Sequence, residues 1–524
     1  MPYANRFDIE LQGVFESREK DWRNGAVVYQ VLVDRFAPSA NLEAKRALYP
    51  APKTLHGWDE TPAPGVYLEA HKLWSHEIAF WGGDLASTAS KLGYVQHLGA
   101  DVLYLNPICL AYTNHKYDAL DYLQVSPEYG TRADVKTLAE DLHGRGMKLV
   151  LDGVFNHMGR NAPIFQQAHA AYLAETAPPG GGREATGGSI YRDWFVFGDH
   201  YPGGARAWWR AENLPELNLE NPKVREHLYA AQHSVVRSYL RDGVDGWRLD
   251  VAFDIGFVFL DQLTRAAHQE KAGSLVVGEI ANYPKEWFPS VDAVMHFALR
   301  HLTLRLANGL VDAPTYGRMV TRMIEETGIE HMLKSWIYLD NHDTPRLATT
   351  VPDLAARRLA QVLQFTLPGS PNLYYGSELD MPGGDDPAMR APMRWDLVTP
   401  DNAALQWTKR LIRLHREHRA LRVGNYRPIS SNRLLAFERY TDRAADTVLV
   451  IANPSDTEIA ETLMVANSKL MDSTRMVDLL DPSPADDIRM GATLLQLTLP
   501  PRSVRVLKPD IAPPGGYTNY KRVQ

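Results

Sequence analysis

The sequence of 524 residues contains a single cysteine, Cys109, so no disulfide can form within one chain. Its position in the apolar run LNPICL predicts a buried packing residue rather than a nucleophile. Basic residues form no run that could follow a phosphate backbone, and 56 Lys and Arg against 63 Asp and Glu leave a net charge of −7. We therefore expect no nucleic-acid partner.

Long apolar stretches are missing as well. No uncharged segment reaches the roughly 18 to 20 residues that a membrane span needs, and the N-terminus has no apolar core of signal-peptide length. We expect a cytoplasmic protein with no membrane partner. The hydrophobic fraction of 45% and the charged fraction of 23% are those of an ordinary globular protein, which excludes collagen-like, disordered and coiled-coil chains.

Short β-branched or aromatic runs alternate with amphipathic stretches along most of the chain, the pattern of strand–helix units around a parallel sheet. The predicted strands are 27–33, 101–106, 148–154, 243–250, 275–280, 291–297, 335–341 and 371–376. Eight such units predict an α/β fold, a (β/α)8 TIM barrel. One long helix, ended by Gly243, is predicted from residue 221 to the fourth strand.

The domain organisation follows from breaks in this alternation. Residues 158–220 are too many for a simple crossover, which predicts an inserted domain after the third strand, where such barrels keep their active sites. The glycine-rich tract at 179–188 within it is predicted to be a lid or a linker. Short alternating strands predict a C-terminal antiparallel β-sandwich at 421–510. The remaining predicted segments are an N-terminal extension (1–25), the two parts of the barrel (26–157 and 221–420) and a tail (511–524).

Acidic residues and histidines follow several predicted strands, namely Asp152, His157, Arg248 with Asp250, Glu279, His342 and Asp343. The carboxyl ends of all barrel strands lie on the same side of the barrel and surround one depression, which we call the cup. Asp250, Glu279 and Asp343 are therefore expected to lie close together there. Repulsion and partial burial would raise the pKa of one carboxyl group, while another stays ionised beside Arg248. Cleavage of a glycosidic bond needs one protonated and one ionised carboxyl group.

Two other interpretations of these residues stay open from the spacing alone. A single aspartate after a strand is commonly a helix N-cap or a surface turn, although four such strand ends in one chain argue against this for all of them. Zinc or a dinuclear metal site is the second alternative, with ligands from His157, His342, Asp250 and Asp343. The helical His-x-x-x-His spacing and the cysteine ligands that would make a metal site specific are missing.

Four ordered motifs occur at the same segments: DGVFNH at 152–157, GWRLDVA at 246–252, VVGEI at 276–280 and LDNHDTPR at 339–346. They resemble the four signatures of the α-amylase family, glycoside hydrolase family thirteen. LPELN at 214–218 is similar to a signature of its cyclomaltodextrinase, neopullulanase and maltogenic amylase group. The resemblance covers roughly residues 26–420 and includes WGGDL at 81–85, YLNPI at 104–108, NHKYDALDY at 114–122 and the segment 374–396.

The resemblance implies a retaining mechanism. Asp250 would be the nucleophile, and Arg248 would keep it ionised. Glu279 would act first as the general acid and then as the base, and Asp343 would stabilise the transition state. The other implied substrate contacts are His115, His157 and His342 for sugar hydroxyls, Tyr117 for stacking on the reacting glucose, and Asp386 and Arg390 for the next sugar on the non-reducing side. Trp194, Trp208 and Trp209 are predicted either to line the cleft or to pack in the core, and Asp84 and Asp152 to support the cup.

The chain departs from the group at two places. Residues 1–25 stand where the group carries an N-terminal β domain that contributes to a domain-swapped dimer, so the oligomeric state stays open. Ala281 stands where the group has an aromatic residue soon after the acid, which removes one stacking contact for an acceptor sugar. No cofactor is required, and a structural calcium ion, common in the wider family, is compatible with the resemblance although no acidic loop of the EF-hand type supports it.

Three functions are weighed for this chain. The first is a retaining hydrolase of α-1,4, and in part α-1,6, glucosidic bonds in short or cyclic maltodextrins, with an α-glucan oligosaccharide as its partner. The second is a transglycosidase or isomerase on the same scaffold, in which a sugar hydroxyl replaces water as the acceptor. The third is an inactive homologue, a carbohydrate-binding or transporter-associated protein, which the presence of Asp250, Glu279 and Asp343 argues against.

Overall fold

The computed structural model describes residues 6–176, 189–482, 487–511 and 518–521, so the glycine-rich tract at 179–188 lies outside the described residues. Eight parallel strands close a barrel, which confirms the predicted α/β fold. They are β1 Val28–Val31, β2 Val102–Leu105, β3 Lys148–Gly153, β4 Gly246–Leu249, β5 Leu275–Ile280, β6 Ala293–His296, β7 Trp336–Ile337 and β8 Ser370–Tyr374. Closure occurs at β1, which pairs with both β2 and β8.

Both faces of the barrel strands are buried. Alternate side chains fill the interior, including Val28, Tyr104, Val150, Val277, Met295 and Trp336. The side chains between them pack outward against the helices, including Tyr29, Leu103, Leu149, Leu249, Val276 and Ile337. Parallel strands covered on both faces consist of nearly continuous apolar runs, which is the reason that all eight were recognisable in the sequence.

The α-helices surround the barrel and join it to the C-terminal region. They span Arg6–Lys20, Val33–Phe36, Leu85–Ser90, Leu92–Leu98, Arg132–Gly144, Pro163–Thr176, Pro222–Arg225, Val235–Arg241, Ala252–Ile255, Phe257–Glu270, Phe297–Ala307, Ala313–Thr327, Ile329–Lys334, Leu347–Thr350, Leu354–Thr366, Ala403–Glu417 and Arg419–Val423. Within the part of the chain that the structure describes, none of these helices is both long enough and apolar enough to cross a membrane.

The prediction of one long helix before β4 is wrong. A short α-helix and a π-helical turn end at Ala230, Ala231 is extended with ψ 157°, and a new helix begins after Ser234. Two arginines compensate for the break, because Arg237 and Arg241 donate side-chain hydrogen bonds to the backbone carbonyls of Tyr229 and Gln232. Periodicity did not detect the interruption because the apolar positions continue on both sides of it.

Two long connections extend from the carboxyl ends of barrel strands. The first excursion, residues 37–84, follows β1 and contains the short strands Thr54–Leu55, Tyr67–Leu68, Leu73–Trp74 and Ala79–Phe80 and the 3-10 helix Ser75–Ile78. The inserted segment, residues 158–220, follows β3 and contains the helix Pro163–Thr176 and the 3-10 turns Arg192–Trp194, Pro202–Gly204 and Trp208–Arg210. Both connections begin at the end of the barrel where the predicted site residues lie.

The C-terminal region is an antiparallel β structure. Its strands are β9 Asn425–Pro428, β10 Leu435–Tyr440, β11 Val448–Asn453, β12 Ile459–Met464, β13 Met476–Asp478, β14 Met490–Gly491, β15 Leu494–Leu499 and β16 Ser503–Pro509. One sheet has the order β9-β10-β11-β16-β13 and a second the order β12-β15-β14. A separate apolar cluster joins the two sheets, with Leu449 and Ile451 from the first and Leu463 and Leu495 from the second.

Candidate active site

The carboxyl ends of β3, β4 and β5 bring three carboxyl groups around one arginine. Arg248 on β4 is fully buried and pairs in register with Asp152 on β3, so the two side chains point the same way. Its Nη1 atom lies 3.0 Å from carboxylate oxygens of both Asp152 and Asp250, and its Nη2 atom lies 3.0 Å from Glu279 Oε2. Asp250 and Glu279 therefore share one buried cation, as the convergence of strand ends predicted.

The charge balance of this cup favours retention of a proton. Burial, together with the carboxylates of Glu279, Asp152 and Asp343, raises the pKa of Asp250 well above its ordinary value, and these effects outweigh the opposing charge of Arg248. The positive charge of Arg248 favours the ionised form of Asp250, so the expectation that Arg248 keeps Asp250 ionised stays a prediction. One guanidinium faces three carboxyl groups, so the cup holds a proton at pH values at which an exposed aspartate has lost it.

Backbone strain at Val251 orients one donor toward Glu279. Val251 has φ 39° and ψ 47°, a left-handed conformation that is costly for a β-branched residue. In this conformation its backbone N–H donates to Glu279 Oε2 at 2.9 Å. Glu279 thus accepts from a backbone amide and pairs with Arg248 through the same oxygen, which holds its carboxyl group beside Asp250.

His342 links the end of β7 to the same network. Gln30 Nε2 donates to His342 Nδ1 at 2.8 Å, so the hydrogen of the neutral ring lies on Nε2. That atom is 2.6 Å from the Tyr117 hydroxyl, which in turn donates to Asp152 Oδ2 at 2.9 Å. Burial, with the charges of Arg248 and Arg390, lowers the pKa of His342 well below its usual range, so the ring stays neutral.

Tyr117 packs parallel to His342, with ring centroids 5.4 Å apart and planes inclined by 5°. Its hydroxyl also accepts a hydrogen bond from Asn106 Nδ2 at 3.0 Å. Three side chains therefore determine its orientation, and one of them, His342, also stacks on its ring. This arrangement brings Tyr117 into the cup. Asp152, which was predicted to support the cup, contacts both Tyr117 and Arg248.

A second group of charges surrounds Asp343. Arg390 contacts Asp343 Oδ1 through Nη2 at 3.2 Å and Asp386 Oδ1 through Nη1 at 3.3 Å, and its Nε donates to the His342 carbonyl at 2.8 Å. Burial opposes ionisation of Asp386, but a hydrogen bond from His76 and the charge of Arg390 lower its pKa overall. Asp343, Asp386 and Arg390, predicted from widely separated motifs, therefore form one contiguous ion network.

His157 lies at the end of β3 with its ring buried. Its Nε2 atom is 4.0 Å from Asp250 Oδ2, and neither ring nitrogen has a hydrogen-bond partner among the described residues. Burial lowers the pKa of His157 to about 3, so the ring is neutral and offers one donor and one acceptor. Buried polar atoms without partners are rare, which makes this ring a candidate for contact with a polar ligand.

Of the three tryptophans considered from the sequence, only Trp208 contacts a site residue. Its indole stacks on His157, with centroids 5.6 Å apart and planes inclined by 25°. Trp194 is buried against Tyr191, and Trp209 is 81% exposed in a strained turn with φ 49°. The inserted segment meets the cup at this point, because His157 also forms a β-bridge with Glu216 of the LPELN motif.

The first excursion supplies two site residues that the sequence analysis missed. His76 Nε2 lies 3.1 Å from Asp386 Oδ2, and Glu77 Oε1 lies 3.2 Å from His115 Nε2. The signal that could have found them is the length of the connection between the first two strands, which is also too long for a simple crossover. Asp84, at the end of this excursion, accepts from Ser87 N as the N-cap of the following helix and pairs with Lys45.

The described residues do not support the alternative of a metal site. Across residues 6–176, 189–482, 487–511 and 518–521, no group of three or more His, Cys, Asp and Glu side chains is arranged to hold a metal ion. His342 and Asp343 are instead engaged with Tyr117 and Arg390. Cys109 is buried, and burial raises the pKa of its thiol to about 12, as fits a packing residue.

The sequence of this chain is similar to those of known proteins. A model of the α-amylase catalytic domain matches residues 30–427. Neopullulanase 2 of Thermoactinomyces vulgaris is 31% identical over 433 residues, covering 80% of this chain and 67% of that protein. A cyclomaltodextrinase of Bacillus sp is 31% identical over 445 residues, covering 82% of this chain and 73% of that protein.

Solved structures agree with the sequence match. The cyclic α-maltosyl-(1→6)-maltose hydrolase of Arthrobacter globiformis has a TM-score of 0.74 at 26% identity, covering 93% of this chain and 100% of that chain. A cyclomaltodextrinase structure has a TM-score of 0.76 at 27% identity, covering 93% of this chain and 78% of that chain. The resemblance of the motifs is thereby confirmed: this chain belongs to the α-amylase family.

Proposed function

We propose that this protein is a retaining hydrolase of α-glucosidic bonds in short or cyclic maltodextrins. The observation that carries the proposal is the pair Asp250 and Glu279, both within 3.0 Å of the fully buried Arg248 at the carboxyl end of the barrel. Two carboxyl groups of unequal protonation in one cup are the requirement of double displacement. The names of the relatives support the substrate class.

The proposed mechanism assigns one role to each carboxyl group. Glu279 delivers the proton retained in the cup to the leaving oxygen, and Asp250, ionised beside Arg248, attacks the anomeric carbon to form a covalent glucosyl ester. Water then takes the glucosyl group with Glu279 as base, which restores the α configuration. Asp343, 41% exposed and held by Arg390, binds hydroxyls of the reacting sugar most tightly as its ring flattens.

Three histidines, His115, His157 and His342, are proposed to bind the reacting sugar together with Tyr117. His157 offers ring nitrogens that have no partner among the described residues and lies beside Asp250. His342 contacts the Tyr117 hydroxyl, and the His115 ring lies 5.7 Å from the Tyr117 ring. Arg390 and Asp386 would bind the next sugar toward the non-reducing end.

Transfer to a sugar acceptor is the alternative outcome on the same scaffold. Ala281 is exposed directly after β5, where an aromatic ring would hold an acceptor sugar. We propose that hydrolysis dominates, because the missing ring weakens the acceptor that competes with water. Incubation with maltotriose tests this: products longer than the starting sugar as the main species would contradict it.

The substrate class is tested by a time course of products. Maltotriose, β-cyclodextrin, pullulan, soluble starch, sucrose and cyclic α-maltosyl-(1→6)-maltose form the panel, with Asp250→Asn as the inactive control. We expect the cyclic and short substrates to be opened faster than starch, with products of retained α configuration by NMR. Inverted products, or activity confined to sucrose, would contradict the proposal.

Removal of the Tyr117 hydroxyl is expected to lower kcat/KM by about 10- to 100-fold. The Tyr117→Phe variant loses the bonds to Asp152, His342 and Asn106, so the network that positions the carboxyl groups loses its central member. Steady-state kinetics on β-cyclodextrin measure the change, with Tyr440→Phe in the C-terminal region as the control. A Tyr117→Phe value equal to that of Tyr440→Phe would contradict the role.

The chain is proposed to have three domains and an intracellular location. We propose a barrel formed by residues 26–157 and 221–420, an inserted domain at 158–220 and a C-terminal domain at 421–510, as the sequence predicted. An intracellular location is supported by the 31% identity to the Bacillus subtilis protein named intracellular maltogenic amylase.

A further inference from the structure

An exposed aromatic pair lies on the hairpin of the first excursion. Trp74 is 48% exposed and Tyr67 is 45% exposed, and their rings meet edge to face with centroids 5.5 Å apart. The two residues are paired in register across the strands Tyr67–Leu68 and Leu73–Trp74. Neither ring is needed to fill the core, so both present apolar faces to the surroundings.

A continuous series of contacts joins Trp74 to the candidate active site. Asp343 contacts Arg390, Arg390 contacts Asp386 at 3.3 Å, and Asp386 contacts His76 at 3.1 Å. The His76 ring lies nearly parallel to the Trp74 indole, with centroids 6.2 Å apart and planes inclined by 25°. The aromatic pair is thus the outermost member of a series that begins at the proposed catalytic carboxylates.

Glu77 and Gly65 hold this arrangement in place. Glu77 accepts a hydrogen bond from the backbone N–H of Trp74 through Oε2 and lies 3.2 Å from His115 through Oε1, so one carboxylate links Trp74 to a predicted site residue. Gly65 donates its backbone N–H to His76 Nδ1 at 3.1 Å, which directs the Nε2 hydrogen toward Asp386. A Cβ at Gly65 would lie 2.6 Å from the backbone nitrogen of His76, so only glycine permits this approach.

The hairpin is also fixed on its outer side. Lys72 Nζ lies 3.8 Å from Glu212 of the inserted segment, and His71 stacks on Tyr112 with centroids 5.8 Å apart. A cavity of about 370 Å³ adjoins the hairpin, with Gly65, Ser75 and His76 in its wall. Contacts of the neighbouring residues therefore position the exposed aromatic pair, and a positioned ring binds a ligand at low entropic cost.

We propose that Trp74, supported by Tyr67, is the stacking platform of an outer saccharide subsite that binds the glucan chain beyond Asp386. The inference rests on the proposed function, because it takes the ligand of the cup to be an α-glucan. An indole beside a carboxylate, a histidine and an arginine matches the apolar face and the hydroxyl rim of a pyranose. The position of this platform makes the first excursion a determinant of chain-length preference.

The test compares long and short substrates in Trp74 variants. The ratio of kcat/KM for maltoheptaose to kcat/KM for maltotriose is measured in the wild type and in Trp74→Ala, Trp74→Leu and Trp74→Tyr. We expect the ratio to fall about tenfold with Ala and with Leu, since either loses a stacked ring, and to stay within about twofold with Tyr, which keeps one. Because Trp74 is half exposed, the thermal midpoints of all four proteins should agree.

A binding measurement separates failure of this inference from failure of the proposed function. Maltoheptaose is titrated calorimetrically into Asp250→Asn and into Asp250→Asn carrying Trp74→Ala, so no turnover is required. Weaker binding in the second protein supports the platform even if the wild type hydrolyses neither sugar. Equal affinity in the two proteins, or an unchanged kcat/KM ratio in Trp74→Ala, would overturn it.

Discussion

Replacing Asp250 with Asn is expected to lower kcat on β-cyclodextrin by at least about 10⁴-fold, because the amide cannot form the glucosyl ester. Glu279→Gln should lose a comparable factor on the same substrate, since the leaving sugar oxygen then departs without a proton. Both side chains lie against Arg248, so either amide keeps the shape of the cup. Circular dichroism and thermal denaturation should confirm that both variants fold.

A substrate whose leaving group needs no proton distinguishes the role of Glu279 from that of Asp250. With α-glucosyl fluoride, whose fluoride departs without a strong acid, Glu279→Gln should recover most of the first step, and Asp250→Asn should not. Asp261→Asn, on the outer helix Phe257–Glu270, is the matched control and should keep wild-type rates. Recovery in Asp250→Asn instead of Glu279→Gln would reverse the proposed assignment.

Replacing Arg248 with Leu is expected to cost about 3–5 kcal/mol of folding free energy at neutral pH. The substitution leaves the carboxyl groups of Asp152, Asp250 and Glu279 in a buried cup without their cation. Urea denaturation of both proteins measures the loss. Arg46→Leu is the control, because Arg46 and its partner Glu43 are 64% and 80% exposed, so the loss of their pair should leave the unfolding curve nearly unchanged.

The destabilisation in Arg248→Leu should depend on pH in a defined direction. Without the guanidinium, the pKa of Asp250, already raised in the folded protein, rises further above its unfolded value. A carboxyl group whose pKa is higher in the folded than in the unfolded protein contributes its full stabilisation only below its unfolded pKa of about 4. This contribution to the free energy of unfolding is lost as the pH rises through the folded pKa. The stability difference from the wild type should therefore be larger at pH 8 than at pH 5, and a constant difference would contradict the burial argument.

The sequence predicted much of the scaffold for a physical reason. Each of the eight barrel strands is buried on both faces, so its apolar run is nearly continuous and visible without structural information. The strand ends then had to converge, since all carboxyl ends of a parallel barrel lie on one side. Asp250, Glu279 and Asp343 could be grouped from spacing and motif alone, and the structure brings them around Arg248 and Arg390.

Other features depended on contacts between distant parts of the chain. The break at Ala231 is compatible with an uninterrupted helical pattern because Arg237 and Arg241 satisfy the freed carbonyls, and no periodicity reports such compensation. His76 and Glu77 gain their roles only through Asp386 and His115, from other connections. Residues that act through partners far along the chain leave no local signal.

The sequence by itself determined the barrel, the C-terminal β structure and the family, because these follow from local apolar patterns and ordered motifs. Only the tertiary structure decided the electrostatic surroundings of the carboxyl groups, since the pKa of Asp250 depends on its burial and on the carboxylates of Glu279, Asp152 and Asp343. It alone also brought Trp74 to the edge of the ion network, through His76 and Asp386. The pKa of a buried group and the shape of a surface both depend on residues that are far apart in the sequence. These residues become neighbours only when the chain folds.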